Sequence, residues 1–192
     1  MRRRWLSALL AAVLAGACGA CARRSADPAL AALSAALAPG ERVLLLRALG
    51  SGPGADPADR IAAIVRPAGG REELRVYERR GGALALVHTE RQGDLFRNLV
   101  VEDVDGDHHP DLVVTWEGGQ LEILEVIVRG EDGVYRTLFQ NAGQEIERRY
   151  GPGGAVEFWI TSRTYEEGPG APPIYASTPY RWDGKAFSEI KR

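Results

Sequence analysis

From Glu41 onward, apolar and polar residues alternate along short segments, and Gly, Pro or Asp residues separate one segment from the next. A period of two residues is typical of half-buried β-strands, and no window keeps the period of an amphipathic helix. We therefore expect an all-β fold. The pattern predicts twelve strands: Arg42–Leu49, Arg60–Arg66, Glu73–Arg79, Ala83–Thr89, Arg97–Asp103, Asp111–Glu117, Leu121–Arg129, Val134–Phe139, Glu145–Tyr150, Val156–Thr164, Ile174–Arg181 and Lys185–Ile190.

Three tight turns indicate an internal repeat. Gly81-Gly82, Asp132-Gly133 and Asp183-Gly184 are two-residue hairpin signals, because Gly and Asp tolerate the positive φ that such turns require. The second residues of these turns are 51 residues apart in both intervals, and each interval holds four predicted strands. We expect antiparallel four-stranded meanders in three units, at about residues 41–91, 92–142 and 143–192.

Four-stranded units of this length are typical of propeller blades, but closed propellers contain four to eight blades. Three units cannot close a standard ring. We therefore expect an open stack of three blade-like units or one continuous curved antiparallel sheet, and a β-sandwich is a further alternative.

A short helix is predicted ahead of the first unit. Asp27-Pro28 has the residue types of an N-cap and a first helical residue, and Pro39-Gly40 ends the segment. Leu30, Leu33 and Leu37 share one face of this helix, which is too short to be stable alone. We expect it to dock on the β-repeats and to cover a sheet edge, and the alternative is a frayed Ala-rich linker.

Residues 1–17 combine a basic start, Arg2–Arg4, with an apolar run and then small residues, which indicates a secretory signal too short for a stable membrane anchor. The closing segment Leu14-Ala-Gly-Ala-Cys18 resembles the lipobox of bacterial lipoproteins. The resemblance implies an acylated Cys18, a lipid-anchored tether with the helix over residues 18–40, and a location in the bacterial cell envelope. Because Gly19 is not the Asp associated with inner-membrane retention, the resemblance favours the outer membrane as the location.

Two alternatives exist for this N-terminal region. One is a plain cleaved signal without lipid. The other is a redox or metal pair formed by Cys18 and Cys21, but that pair would need a thioredoxin-like unit or further ligands, and the chain has only 2 Cys.

Charge excludes one class of partner. The formal net charge is −2, and the Arg residues are interleaved with Glu along the chain instead of being clustered. A surface that binds nucleic acid needs clustered positive charge, so we expect no nucleic-acid partner.

The stretch Asp103 to Val114, DVDGDHHPDLVV, carries the most distinctive chemistry. Four carboxylates occupy positions 1, 3, 5 and 9, and position 7 can offer its backbone carbonyl. Hard oxygen ligands in this number suit Ca²⁺. An EF-hand is excluded because position 12 is Val114 instead of Glu and because strands flank the loop. The predicted metal ligands are Asp103, Asp105, Asp107, His109 and Asp111.

The same stretch resembles the DxDxDGxxD loops of FG-GAP repeats in integrin α-subunits and of VCBS repeats in bacterial surface proteins. The resemblance implies a structural Ca²⁺ between two strands of a blade-like unit. The family's Gly at position 6 is His108 here, which is less suited to a sharp turn unless Gly106 takes the bend. The alternative is a solvated Asp-rich turn without an ion.

Two hypotheses for function remain. The sequence contains no nucleophile-elbow, zincin, P-loop or dinucleotide-binding motif. We therefore predict a non-catalytic, calcium-stabilised β-repeat module that is displayed on the envelope and binds a protein or polysaccharide. The alternative is an envelope hydrolase whose site lies in loops.

Overall fold

The computed structural model describes residues 28–50, 56, 58–165 and 172–191. It contains three four-stranded antiparallel sheets, and each strand pairs with its neighbours in the sequence. The prediction of an all-β fold with open, blade-like meanders is confirmed. Sheet 1 comprises β1 (Arg42–Ala48), β2 (Arg60–Arg66), β3 (Glu73–Arg80) and β4 (Ala83–Glu90); sheet 2 comprises β5 (Leu95–Glu102), β6 (Asp111–Gly118), β7 (Leu121–Arg129) and β8 (Tyr135–Gly143); sheet 3 comprises β9 (Glu145–Tyr150), β10 (Val156–Tyr165), β11 (Pro173–Trp182) and β12 (Phe187–Glu189).

The strand boundaries differ from the prediction by a few residues. β5 begins at Leu95 instead of Arg97, β8 continues to Gly143, and β12 contains only Phe187–Glu189. Gly82, Gly133 and Gly184 all connect the third and fourth strands of their sheets, with φ of 88°, 79° and 96°. The three turns used to find the repeat are therefore structurally equivalent.

The hydrophobic core forms two layers, one on each face of sheet 2. Successive side chains of β6 point to opposite faces of the sheet. Leu112 and Val114 therefore pack toward sheet 1, whereas Val113 between them packs toward sheet 3. All three are nearly inaccessible to solvent, at 0%, 0% and 5% exposure. Sheet 2 is thus the middle layer of the stack.

The same hydrogen bond joins each pair of neighbouring sheets. The Glu72 carboxylate, ahead of β3, accepts the backbone N–H of Phe96 at 2.7 Å. The Glu122 carboxylate in β7 accepts the backbone N–H of Ile146 at 2.9 Å. In each case the donor is the second residue of the next sheet's first strand. This recurrence identifies equivalent positions in successive units, which lie 50 residues apart here.

Two glycines allow the close approach at these junctions. A Cβ atom on Gly93 would lie 2.5 Å from the carbonyl oxygen of Glu117, and one on Gly143 would lie 2.6 Å from that of Thr161. Real Cβ atoms do not approach backbone oxygens this closely. Each new unit therefore begins at a position where only glycine fits.

The helix α1 spans Pro28–Ala36, as predicted, and lies on the outer face of sheet 1. The helix also contacts β4, which is an edge strand of sheet 1. Leu33 is fully buried against Ala63, Val65 and Tyr77 of β2 and β3. Leu30 is 43% exposed, so it does not belong to the packed face.

The predicted signal segment, Cys18 and the predicted cap Asp27 lie outside the described residues. Within the described part of the chain, no helix has the length and apolar character needed to cross a bilayer.

Candidate metal site

The acidic loop connects β5 to β6, the first and second strands of sheet 2. The last paired residues of these strands are Glu102 and Asp111, so the loop closes a β-hairpin. A strand on each side of the loop agrees with the prediction and with the exclusion of an EF-hand.

Three of the predicted ligands converge. One carboxylate oxygen each from Asp103, Asp105 and Asp111 lies within 4.8 Å of the others. Each oxygen ligand of Ca²⁺ lies about 2.4 Å from the ion, so two ligands of one ion are at most about 5 Å apart. The spacing therefore fits a single hard cation held by three carboxylates.

Asp111 is the buried member of this group, with 1% exposure. Its Oδ2 atom accepts the backbone N–H of Val104 at 2.9 Å. Burial raises the pKa of Asp111 to about 7, the Val104 hydrogen bond opposes the rise, and repulsion from Asp105, Asp107 and Asp103 adds to it. A bound cation would remove the cost of ionising this buried carboxyl group.

Asp105 is half-buried between the exposed members of the loop. Its pKa is raised, first by burial and then by the charges of Asp107 and Asp103, while a backbone hydrogen bond from Asp107 opposes the shift. The loop therefore concentrates negative charge that only a cation or protons can balance.

The backbone of the loop turns around Asp103. Its two carboxylate oxygens accept the backbone N–H groups of Gly106, at 2.7 Å, and His108, at 3.0 Å. Gly106 has φ of 85°, and His108 has φ of 66°. Among the residues that the structure describes, His108 is the one non-glycine residue with positive φ. His108 therefore adopts the left-handed conformation that the resembled motif assigns to glycine.

Asp107 and His109 are not part of the convergent group. Asp107 is exposed, and its Oδ1 accepts the backbone N–H of His109 at 2.7 Å. The side chain of His109 is also exposed. That the carbonyl of His109 binds the ion remains a prediction.

A cavity of about 250 Å³ lies beside the loop and extends to sheet 3. Asp103 and Asp105 line one side, and Gly153, Arg181 and Trp182 line the other. The loop therefore lies at the boundary of two sheets. Sequence spacing could not reveal this, because the residues on the two sides are separated by about 50 or more positions.

The equivalent connections in the other sheets lack this arrangement. Ahead of β2, Asp56 accepts the backbone N–H of Ala58 at 2.8 Å, and Asp59 forms an ion pair with Arg79 at 2.9 Å. Between β9 and β10 the chain forms a 3₁₀ turn at Pro152–Gly154 that has no carboxylate. Only the loop of sheet 2, among the described residues, brings three potential metal ligands together.

Comparisons of the chain with models of protein families, with curated proteins and with solved structures each found no match. The resemblance to the FG-GAP and VCBS repeats therefore stays a prediction based on the loop residues.

Proposed function

We propose that this chain is a non-catalytic, calcium-stabilised β-repeat module of the bacterial cell envelope, anchored by a lipid on Cys18, that binds a protein or polysaccharide. The observation that supports it best is the convergence of Asp103, Asp105 and Asp111 in the hairpin loop of the middle sheet. The donor set of three carboxylates is typical of Ca²⁺.

A structural role for the ion follows from its position. Asp103 lies directly after β5 and Asp111 is the first residue of β6, so an ion held by both would join the ends of two strands. The loop also borders the cavity next to sheet 3. The ion would therefore stabilise the middle sheet at its boundary with the third one.

The binding role is proposed from the architecture. An open stack of sheets leaves loops and strand edges at the surface, and surface loops on a rigid scaffold commonly carry recognition. An envelope location brings such a surface into contact with surface proteins and polysaccharides.

The calcium proposal is tested by thermal unfolding of the full-length chain with excess Ca²⁺ and with a chelator. A ligand that binds the folded state alone stabilises by about 2.7 kcal/mol at a hundredfold excess over Kd. We expect a higher Tm with Ca²⁺, and we expect Asp105→Asn to abolish the difference because it removes one charged ligand without changing the side-chain size.

The matched control is Asp132→Asn, in the exposed turn between β7 and β8, which should keep the full calcium response. Equal melting temperatures with Ca²⁺ and chelator in the unmodified chain would refute the proposal. If Ca²⁺ raised the Tm of Asp105→Asn as much as that of the control, the ion would bind outside this loop.

A further inference from the structure

Sheets 2 and 3 separate on the side where β5 and β9 form their edges, and they leave a cleft of about 280 Å³. We call it the inner cleft. The polar side chains of Asn98, Thr115 and Arg148 line it, and Val113, Leu124 and Phe158 form its apolar floor. These three floor residues are 5%, 1% and 1% exposed, so the floor is part of the core between the two sheets.

The boundary between sheets 1 and 2 shows how the repeat fills this position when no cleft is present. Leu45, Ile64 and Leu74 form a row across three paired strands of sheet 1. They belong to the same apolar cluster as Phe96 and Trp116 of sheet 2. The two aromatic rings contact each other edge to face, with centroids 6.2 Å apart. Large apolar side chains from both sheets therefore close this boundary.

The equivalent row of sheet 2 consists of Asn98, Thr115 and Leu124. Opposite this row, Ile146 and Ile160 are paired in sheet 3, at the positions that the aromatic pair occupies in sheet 2. Two apolar residues have thus become polar, and two aromatic residues have become smaller. Three of these four departures, at Asn98, Thr115 and Ile146, line the inner cleft. Functional sites are the places where a sequence is expected to depart from its packing pattern.

The polar groups of the inner cleft are available for a ligand. The side chains of Asn98 and Thr115 form no hydrogen bond to another described residue. The Arg148 guanidinium forms an ion pair with Glu102 at 2.6 Å, which balances its charge while leaving further N–H donors. A fitting ligand is therefore uncharged, offers both donors and acceptors, and carries a small apolar group.

We propose that the inner cleft binds one neutral saccharide unit that carries an N-acetyl group. The acetyl methyl group would contact the apolar floor, the amide would pair with Asn98 and Thr115, and ring hydroxyls would accept from Arg148. The volume is at the small end of ligand pockets, so it fits one unit of a longer chain. This inference rests on the proposed function and specifies a polysaccharide as the partner.

The test measures binding of the full-length chain, in mild detergent, to β-1,4-linked tri-N-acetylglucosamine by calorimetry and by backbone amide shifts in NMR. We expect saturable binding with shifts at Asn98, Thr115 and Arg148. Maltotriose, which lacks the N-acetyl group, should bind at least tenfold more weakly. No binding of the acetylated trisaccharide, or equal binding of both sugars, would overturn the proposal.

A paired substitution copies the apolar residue types of sheet 1 to the equivalent positions in sheet 2. Asn98→Leu with Thr115→Ile installs the residue types that Leu45 and Ile64 supply in sheet 1, which should fill the cleft and weaken binding at least tenfold. Thr115→Val keeps the shape, removes the hydroxyl group and should weaken binding severalfold with an unchanged Tm. Arg149→Gln, next to Arg148 but on the opposite face of β9, should bind like the unmodified chain.

Further outcomes separate this inference from the proposed function. If the unmodified and paired-substitution chains captured equal amounts of purified envelope polysaccharide, the inner cleft would not be the binding site. The proposal of a binding module would still stand. Tighter binding of an N-acetylated dipeptide amide than of the trisaccharide would overturn the saccharide assignment in favour of a peptide. A missing calcium response bears on the proposed function alone, because the cleft contains no metal ligand.

Discussion

The two outer faces of the three-sheet stack are built in opposite ways. The outer face of sheet 1 has an apolar patch that α1 covers, with Leu33 buried against Ala63 and Val65, and beside it Arg75 pairs with Glu41 at 2.7 Å. The outer face of sheet 3 is polar: Arg149 stacks on Trp159 at 4.2 Å, and Glu157 pairs with Arg181 at 3.4 Å. An outer face that faces water needs side chains that tolerate water.

The contrast shows two ways to build the outer face of such a stack. On sheet 1, a helix from the preceding segment buries apolar residues. On sheet 3, charged and hydroxyl side chains take the place of apolar residues. Two experiments test this contrast, and a third tests a charged residue type in the buried layer between sheets 1 and 2; the expected effects run from the largest to the smallest.

The first compares neighbouring residues of β10 that point to opposite faces. Phe158 is 1% exposed and contacts the Phe139 and Phe187 rings toward sheet 2, whereas Trp159 is on the outer face. Phe158→Ala should lower the free energy of unfolding by about 4 kcal/mol, the usual cost of emptying a buried aromatic position. Trp159→Ala should cost about 1 kcal/mol, because water already reaches that face. Urea unfolding measures both, and similar losses would show that the outer face is a packed one.

The second compares two leucines of the covering helix. Leu33→Ala removes the buried side chain that packs on the outer face of sheet 1, so it should lower the free energy of unfolding by about 3 kcal/mol. Leu30→Ala changes a residue that is 43% exposed and should cost at most about 0.5 kcal/mol. If the two variants lost equal stability in urea unfolding, the helix would not act as a cover for sheet 1.

The third concerns Glu125, a charged residue type within the apolar layer between sheets 1 and 2. Glu125 has 0% exposure, and its Oε1 accepts the Thr137 hydroxyl at 2.8 Å, whereas its buried Oε2 lies within regular hydrogen-bond geometry of none of the described residues. Burial raises its pKa above the usual 4.5, the Thr137 hydrogen bond opposes the rise, and the nearby charge of Glu90 adds to it.

Because the folded-state pKa is raised, the stability from the protonated group is fully present below pH 4.5 and is lost as pH rises through the folded-state pKa. Glu125→Gln should remove this loss, so its stability relative to the unmodified chain should increase from pH 4.5 toward neutrality. Thermal unfolding across pH measures the difference, with exposed Glu131→Gln as control. A difference that does not change with pH would place the carboxyl group in contact with water.

The fold could be predicted from the sequence because strand alternation and hairpin glycines are local signals. The face that the helix covers could not be predicted in this way, although the residue types of β2 indicated that both of its faces are buried. Ile61–Val65 is apolar at every position, which is typical of a strand covered on both faces, unlike the alternating strands at the surface. Alternation alone does not say which element covers the second face.

The acidic loop was also predictable in part. Spacing indicated that alternate carboxylates converge, and Asp103, Asp105 and Asp111 do so. Asp107 does not belong to the group; its Oδ1 accepts the backbone N–H of His109 instead. The inner cleft had no local signal, since Asn98 and Thr115 become unusual only when the sheets are superimposed as equivalent units.

The hydrogen bonds from the backbone N–H of Phe96 to Glu72 and from that of Ile146 to Glu122 also constrain how such a chain can change in length. The middle unit offers a donor to the first unit and an acceptor to the third, so both boundaries contain the same hydrogen bond. An inserted copy of residues 93–142 would bring its own Glu122 for the next strand and its own Phe96 for the previous glutamate. A chain of this design can therefore gain a whole blade by duplication and keep this hydrogen bond at every boundary, whereas gaining part of a blade would leave an acceptor and a donor unmatched.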